Sequence, residues 1–272
     1  MLRLLLALLA LACFSPFICS GQSDSTVIAT EYAYFDLPDK RIGILKSIYE
    51  KPNLSFLVLH DDENTGLNAA KAFCRSNGGS LTELQYGNVR NISFGGQPPR
   101  YAFDPNQIFN NVGLEKSLKK YSIGKTVEGT VKRARGLALS LFDVYKPDSL
   151  GYIITLHNNT DENFGIQSYQ PGGYLFGVAD SIYVNPEMDT DDLIFVTEPA
   201  FFNYLKQQNI NAVLQSVSAL DGSLSVYAQV NRIPYVNIEV QHGHEDEHLR
   251  LIYVVEHMFK TIRFDEFYAK GK

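Results

Sequence analysis

Leu54-Ser55-Phe56-Leu57-Val58-Leu59-His60-Asp61-Asp62-Glu63-Asn64 is the stretch on which the fold turns. Leu54 to Leu59 is apolar except for Ser55 and has the length of a strand. It gives way at once to His60 and three acidic residues. A run this short, with no polar alternation, reads as a strand buried on both faces, the kind found inside parallel sheets. Directly after it Ala69, Ala70, Phe73 and Cys74 recur at helical spacing, and Gly78-Gly79 closes the helix.

The same alternation continues in both directions. Leu81 to Gln85 is the next strand, and residues 86–107, polar and rich in Gly, Pro and Asn, form a long loop of the kind that often carries function. Val127 to Tyr145 is a helix whose apolar face is Val131, Ala134, Leu137, Ala138, Leu141 and Phe142. Gly151 to Leu156 is a second buried strand, ending in His157-Asn158-Asn159. Leu193 to Thr197 is a third, Phe201 to Lys206 a short helix, and Val213 to Gln215 a short strand. Tyr235 to Ile238 leads into Glu239, and Glu245 to Thr261 is a closing helix with acids in its first turn. Upstream, residues 27–50 read as two short strands about Leu37-Pro38-Asp39, within an extension (22–52) that docks on the main sheet. Alternating strands and helices predict an α/β domain: three layers, α/β/α, around a mixed, mostly parallel sheet.

A chain of 272 residues suits one large domain after a leader, here 22–272. The formal net charge of −6 argues against nucleic acid as a partner, which needs a basic face. Arg3 followed by the Leu/Ala run from Leu4 to Ala12, then Ser20 and Gly21, has the pattern of a secretory signal peptide over residues 1–21. The run is too short to span a bilayer, so no stable membrane insertion is expected after cleavage. The mature protein is expected in the periplasm or outside the cell, with lipid anchoring at Cys13 or Cys19 the less favoured outcome. Cys74 is then the lone cysteine and reads as a core residue.

Three strands end in groups that can bind metal or move protons: His60-x-x-Glu63, His157 and Glu239. Ligands of open α/β sheets bind beyond the carboxyl ends of strands, so neighbouring parallel strands would bring these four groups together. Two imidazoles and a carboxylate leave one position open, the catalytic form of a zinc site, and a carboxylate outside that set can serve as general base. Taken singly, each residue has a plainer reading as a helix-start or strand-end polar group. Glu239 is the least plain, because a carboxylate on a buried strand is costly.

In this order the motifs resemble the zinc carboxypeptidase fold, and most nearly its aspartoacylase and succinylglutamate desuccinylase branch. That branch carries an Arg and then an Asp-x-Asn-Arg-x-Phe stretch between the ligands; here the segment is Arg100-Tyr-Ala-Phe-Asp104-Pro-Asn106-Gln107-Ile-Phe109. The resemblance implies that Arg100 polarises the scissile carbonyl or binds substrate and that Asn106 contacts a substrate carboxylate. Gln107 replaces the usual Arg and removes a bidentate carboxylate clamp. The expected function is thus an exported, zinc-dependent hydrolase cleaving a peptide or N-acyl amide, with one zinc per chain held by His60, Glu63 and His157. Its substrate is a small peptide or N-acyl amino acid. Two alternatives stand beside it: a secreted, non-catalytic binding protein on the same fold, and a metal at His242, His244 and His248. Asn53, Asn91 and Asn158 head Asn-x-Ser/Thr triplets. Tyr227, Tyr235 and Arg232 are further candidates for a pocket wall.

Overall fold

The computed structural model describes residues 26–98, 100–124, 128–160 and 163–264. The leader expected at 1–21 lies outside them. The first elements are a long antiparallel hairpin, β1 (Val27–Leu37) and β2 (Lys40–Tyr49), joined by Pro38-Asp39 with Leu37 paired to Lys40. These strands have eleven and ten residues, so they are not the short pieces expected. Then follow β3 (Ser55–Val58), α1 (Asn64–Asn77), β4 (Ser80–Gln85), β5 (Ile92–Phe94), β6 (Tyr101–Phe103), α2 (Asn111–Tyr121), α3 (Glu128–Tyr145) and α4 (Pro147–Leu150). The second half runs β7 (Ile153–Asn159), β8 (Ala179–Tyr183), β9 (Leu193–Val196), α5 (Pro199–Gln207), β10 (Ala212–Gln215), α6 (Leu224–Val230), β11 (Tyr235–Gln241) and α7 (Glu245–Thr261).

Nine strands form one mixed sheet in the order β1-β2-β4-β3-β7-β11-β9-β10-β8. The four at its centre, β4, β3, β7 and β11, run parallel to one another. Antiparallel pairs flank them, β2 with β4 on one side and β11 with β9 on the other. Strand β3 and the first half of β7 are near-continuously apolar because both faces are covered, and successive residues feed opposite layers. Leu57 and Ile153 join Leu137 and Leu141 of α3 on one face; Phe56 and Ile154 join Phe73 of α1 and Leu251 of α7 on the other. This is a three-layer α/β/α domain.

Two local features fix the helix that follows His60 and Glu63. Helix α1 ends where Gly78 takes φ +85° and returns its N–H to the Cys74 carbonyl; a Cβ there would run into the Lys51 backbone. Cys74 is buried in the same layer, and burial pushes its thiol up to about 12, which suits a packing role. Among the described residues no helix is long and apolar enough to cross a membrane.

The long loop expected at 86–107 contains a small separate hairpin, β5 paired with β6. Its strands have three residues each and are bounded by Gly and Pro, so no periodicity can develop.

Candidate metal centre

Strands β3, β7 and β11 are adjacent and parallel, so their carboxyl ends open on one place. His60 follows β3 by two residues, and Glu63 stands just before the first turn of α1. The Glu63 N–H returns to the His60 carbonyl at 3.2 Å, and this turn points both side chains the same way. The Glu63 carboxylate does not cap its own helix. His157 is the fifth residue of β7, and the register sets Glu239 of β11 directly beside it.

The ligand atoms of His60, Glu63 and His157 all lie within 4.8 Å of one another, and all three residues are buried. His60 Nδ1 is 3.1 Å from His157 Nδ1 and 3.0 Å from Glu63 Oε1; His157 Nδ1 is 2.7 Å from Glu63 Oε2. Two imidazole lone pairs cannot face each other at that distance without a proton or a cation between them. Burial pushes the His60 imidazole down, yet Glu63 and Asp104 outweigh it and hold it up at about 9. Burial acts against ionisation of Glu63 too, and the two histidines override it, keeping that carboxyl well below its usual range. Two nitrogens and one carboxylate, converging and buried, fit a divalent metal of the zinc type.

Asp104 has a part that the sequence did not disclose. Its Oδ1 accepts from His60 Nε2 at 2.8 Å, which fixes a proton on that nitrogen and leaves Nδ1 as the nitrogen turned toward the centre. Burial would raise the Asp104 pKa; His60 and Arg90 reverse this and bring it to about 2. The Asp104 carboxylate is itself steadied by the Asn106 N–H at 2.8 Å, and the Asp104 N–H is bound by the Ser117 hydroxyl.

A cavity of about 490 Å³ opens beside the cluster, with Glu63, Arg90, Asn106, Tyr169, Phe195 and Glu239 among its walls. Glu239 is half-buried there, and its Oε1 accepts from Asn237 Nδ2 at 3.0 Å. Burial raises its pKa, and Glu63 adds to the rise while His157 opposes it. A carboxyl raised in this way, on the cavity wall beside a ligand strand, is suited to taking and returning a proton.

The structure does not bring Arg100 to this place. Its backbone pairs with Ile123, its guanidinium reaches Ser93 at 3.2 Å, and it is exposed on the small hairpin. Arg90 is the arginine that lines the cavity, with Nη1 2.5 Å from Glu63 Oε1. The motif pattern favoured Arg100 because it precedes Asp104 and Asn106 at nearly the family spacing; Arg90 gains its position from the turn after β4. Asn106 does reach the cavity, and its Oδ1 accepts the Leu224 N–H at 3.1 Å, tying the wall to α6. Gln107 packs toward Gly113 of α2 and is not among the lining residues.

The histidines at 242–248 do not converge. His242 and His244 are exposed, whereas His248 is fully buried against Gly66, and burial brings its pKa down to about 3. Among the described residues, His60, Glu63 and His157 form the one group of three able to share an ion. Tyr235 lines the cavity with its hydroxyl 2.6 Å from Thr155 Oγ1, while Tyr227 packs at a tilt against Phe109 and Phe142, and Arg232 is exposed after α6. Of the triplet asparagines, Asn53 donates to Glu256 and the Asn77 carbonyl, Asn91 is half-buried, and Asn158 lines the cavity.

No protein-family model matches the sequence, and no curated protein matches it. Solved structures do. The chain is similar to a succinylglutamate desuccinylase/aspartoacylase from Rhodobacter sphaeroides, at 13% identity over 88% of this chain and 68% of that one, with a TM-score of 0.46. It is similar to the murein-tripeptide amidase of Escherichia coli O157, at 8% identity over 86% and 93% of the two chains, with a TM-score of 0.45. An aspartoacylase family protein from Mesorhizobium loti gives 12% identity over 86% and 68%, with a TM-score of 0.38. At that distance the chemistry of this chain has to be read from its own side chains.

Proposed function

We propose that the chain is an exported, zinc-dependent hydrolase that cleaves the amide bond of a small peptide or N-acyl amino acid. The observation that carries this reading is the buried His60, Glu63 and His157 trio opening on a cavity whose wall holds Glu239 and Arg90. When bound, zinc supplies Lewis acidity, polarising the carbonyl and making water nucleophilic near neutral pH. The protein's own groups do the rest. Glu239 takes the proton of the attacking water and delivers it to the leaving amine, a task that favours a carboxyl raised by burial. Arg90 donates to the oxygen on which negative charge grows, taking the part that the family resemblance had put on Arg100. Asp104 keeps His60 in the tautomer that can ligate. Asn106 contributes a polar wall for the substrate.

Elemental analysis and amine release from a panel of N-acetyl amino acids and small peptides test this together. Near one zinc per chain is expected, with zinc lost in a His60→Ala, His157→Ala double variant. Full zinc in that variant overturns the ligand set, and bound zinc without any hydrolysis makes the protein a binder. Export is checked by amino-terminal sequencing from the native host. A start near Gly21 or Gln22 supports it, and Met1 on the functional protein ends it.

A further inference from the structure

Asp61 lies between the two ligands of the first strand end, and its carboxylate serves another loop. Asp61 Oδ2 accepts three successive backbone N–H groups, from Tyr86 at 2.5 Å, Gly87 at 2.5 Å and Asn88 at 2.7 Å. Successive N–H groups turned to one side form a nest for an anion, and here the anion is part of the protein. The nest needs a local backbone that most residues resist: Gly87 has φ +109° and Asn88 has φ +55°. Tyr86 closes the arrangement from the other side. Its phenol is buried, accepts the Asp61 N–H at 3.2 Å and donates to the Arg90 carbonyl at 2.8 Å. The backbone of residues 86–88 is thereby held to the turn between His60 and Glu63, the Arg90 carbonyl is held through Tyr86, and the Arg90 side chain returns to that turn at Glu63 Oε1.

The Arg90 side chain is about half exposed, so packing alone does not fix it. A long, rotamer-rich side chain keeps one place only when its backbone is anchored and its head is bound. The carboxylate and phenol supply the anchor within four residues of the guanidinium. We infer that Asp61, with Tyr86, is a positioning residue: it presents the Arg90 guanidinium to Glu63 and the cavity through the backbone of residues 86–90. Its effect on rate rests on the reading of the cavity as a hydrolase site; its effect on Arg90 does not.

The two parts are separable by experiment. In as-purified protein labelled with ¹⁵N-arginine, the Arg90 guanidinium is identified by its absence in Arg90→Gln. A held guanidinium gives separate, slowly exchanging Nη signals. These are expected to merge and broaden in Asp61→Ala, which leaves no oxygen for the three N–H groups, and Arg90 signals unchanged from the parent would overturn the inference. Should Asp61→Ala fail to fold, Tyr86→Phe is decided by the same criterion. In the kinetic arm, on an N-acetyl amino acid that the parent hydrolyses, Asp61→Ala should lower kcat/KM by roughly 10–100-fold with zinc content kept. In an Arg90→Gln background the same substitution should do almost nothing more, because both act at one point; independent, additive losses would overturn the inference. If the parent hydrolyses nothing in the panel, the hydrolase reading fails while the guanidinium signals still decide the role of Asp61.

Discussion

Replacing Glu239 by Gln should separate chemistry from metal binding and from stability in a single protein. The substitution keeps shape and can keep the Asn237 contact at 3.0 Å, since the amide retains one acceptor oxygen. It removes only the ability to take a proton. Glu239 sits one strand away from His157 and outside the trio of ligand atoms, so zinc content should remain near that of the parent. The rate should fall by roughly 10²–10⁴, the usual worth of general acid–base catalysis, or about 3–5 kcal/mol in the barrier. Stability at neutral pH should move the other way. Burial raises the pKa of this carboxyl, so its ionised form opposes folding and a neutral amide relieves that opposition. The assay is steady-state amine release normalised to zinc-loaded protein, with urea unfolding on the same sample. A folded, zinc-loaded Glu239→Gln protein that turns over at close to the parent rate would refute the role given to Glu239.

Other outcomes follow from neighbouring geometry. Asp104→Asn removes the charge that holds the proton on His60 Nε2, and chelator competition should show zinc affinity lower by roughly 10–100-fold; a change below about twofold would count against the Asp104–His60 pairing. Gly66→Ala places a Cβ 2.8 Å from His248 Cε1 and 2.9 Å from Leu156 Cβ. Overpacking of about 1–3 kcal/mol should outweigh the roughly 1 kcal/mol that Ala gains in a helix, and an unchanged or higher Tm would contradict this packing. Asp192 is buried, and burial lifts its pKa to about 6, so the folded protein binds more protons than the unfolded chain between about pH 4 and 6. Stability should therefore fall as pH rises through that window. Asp192→Asn, which can keep the Gln241 N–H contact, should remove the fall and be more stable above pH 6 by at most roughly 3 kcal/mol. A parent-like pH profile in urea unfolding would exclude the effect.

The central sheet and the ligand strands were legible because burial on both faces leaves an unmistakable trace. Leu54–Leu59, Gly151–Leu156 and Tyr235–Ile238 are near-continuous apolar runs, and each ends at a polar group that the parallel order then gathers. The outer parts were not legible for the opposite reason. Helix α2 buries only Gly113, Leu114, Ser117 and Leu118, too little for a visible stripe, and β8 is a five-residue edge strand with no fully buried residue. Helix α6 has seven residues and no sharp cap signal. At the site, His60, Glu63, His157 and Glu239 could be proposed because strand ends have a known direction. Arg90, Asp104 and Asp61 could not, since their roles depend on how a loop of irregular backbone folds over the strand ends. Motif spacing pointed to Arg100, one hairpin away from the place that Arg90 fills.

The candidate ligands are unevenly spread along the chain. His60 and Glu63 are three residues apart, while His157 is 94 residues from Glu63. In an unfolded chain the first two can still meet as a weak local chelate, but the third arrives only after β3 and β7 have paired. A metal that needs all three thus discriminates between the native chain and every state in which the sheet centre is open. Saturating metal at about 100 times its dissociation constant would shift the folding equilibrium by roughly 2.7 kcal/mol toward the native side, less whatever the local pair retains when unfolded. Metal supply would then set how much of the newly made chain survives proteolysis, besides setting how much of it is active.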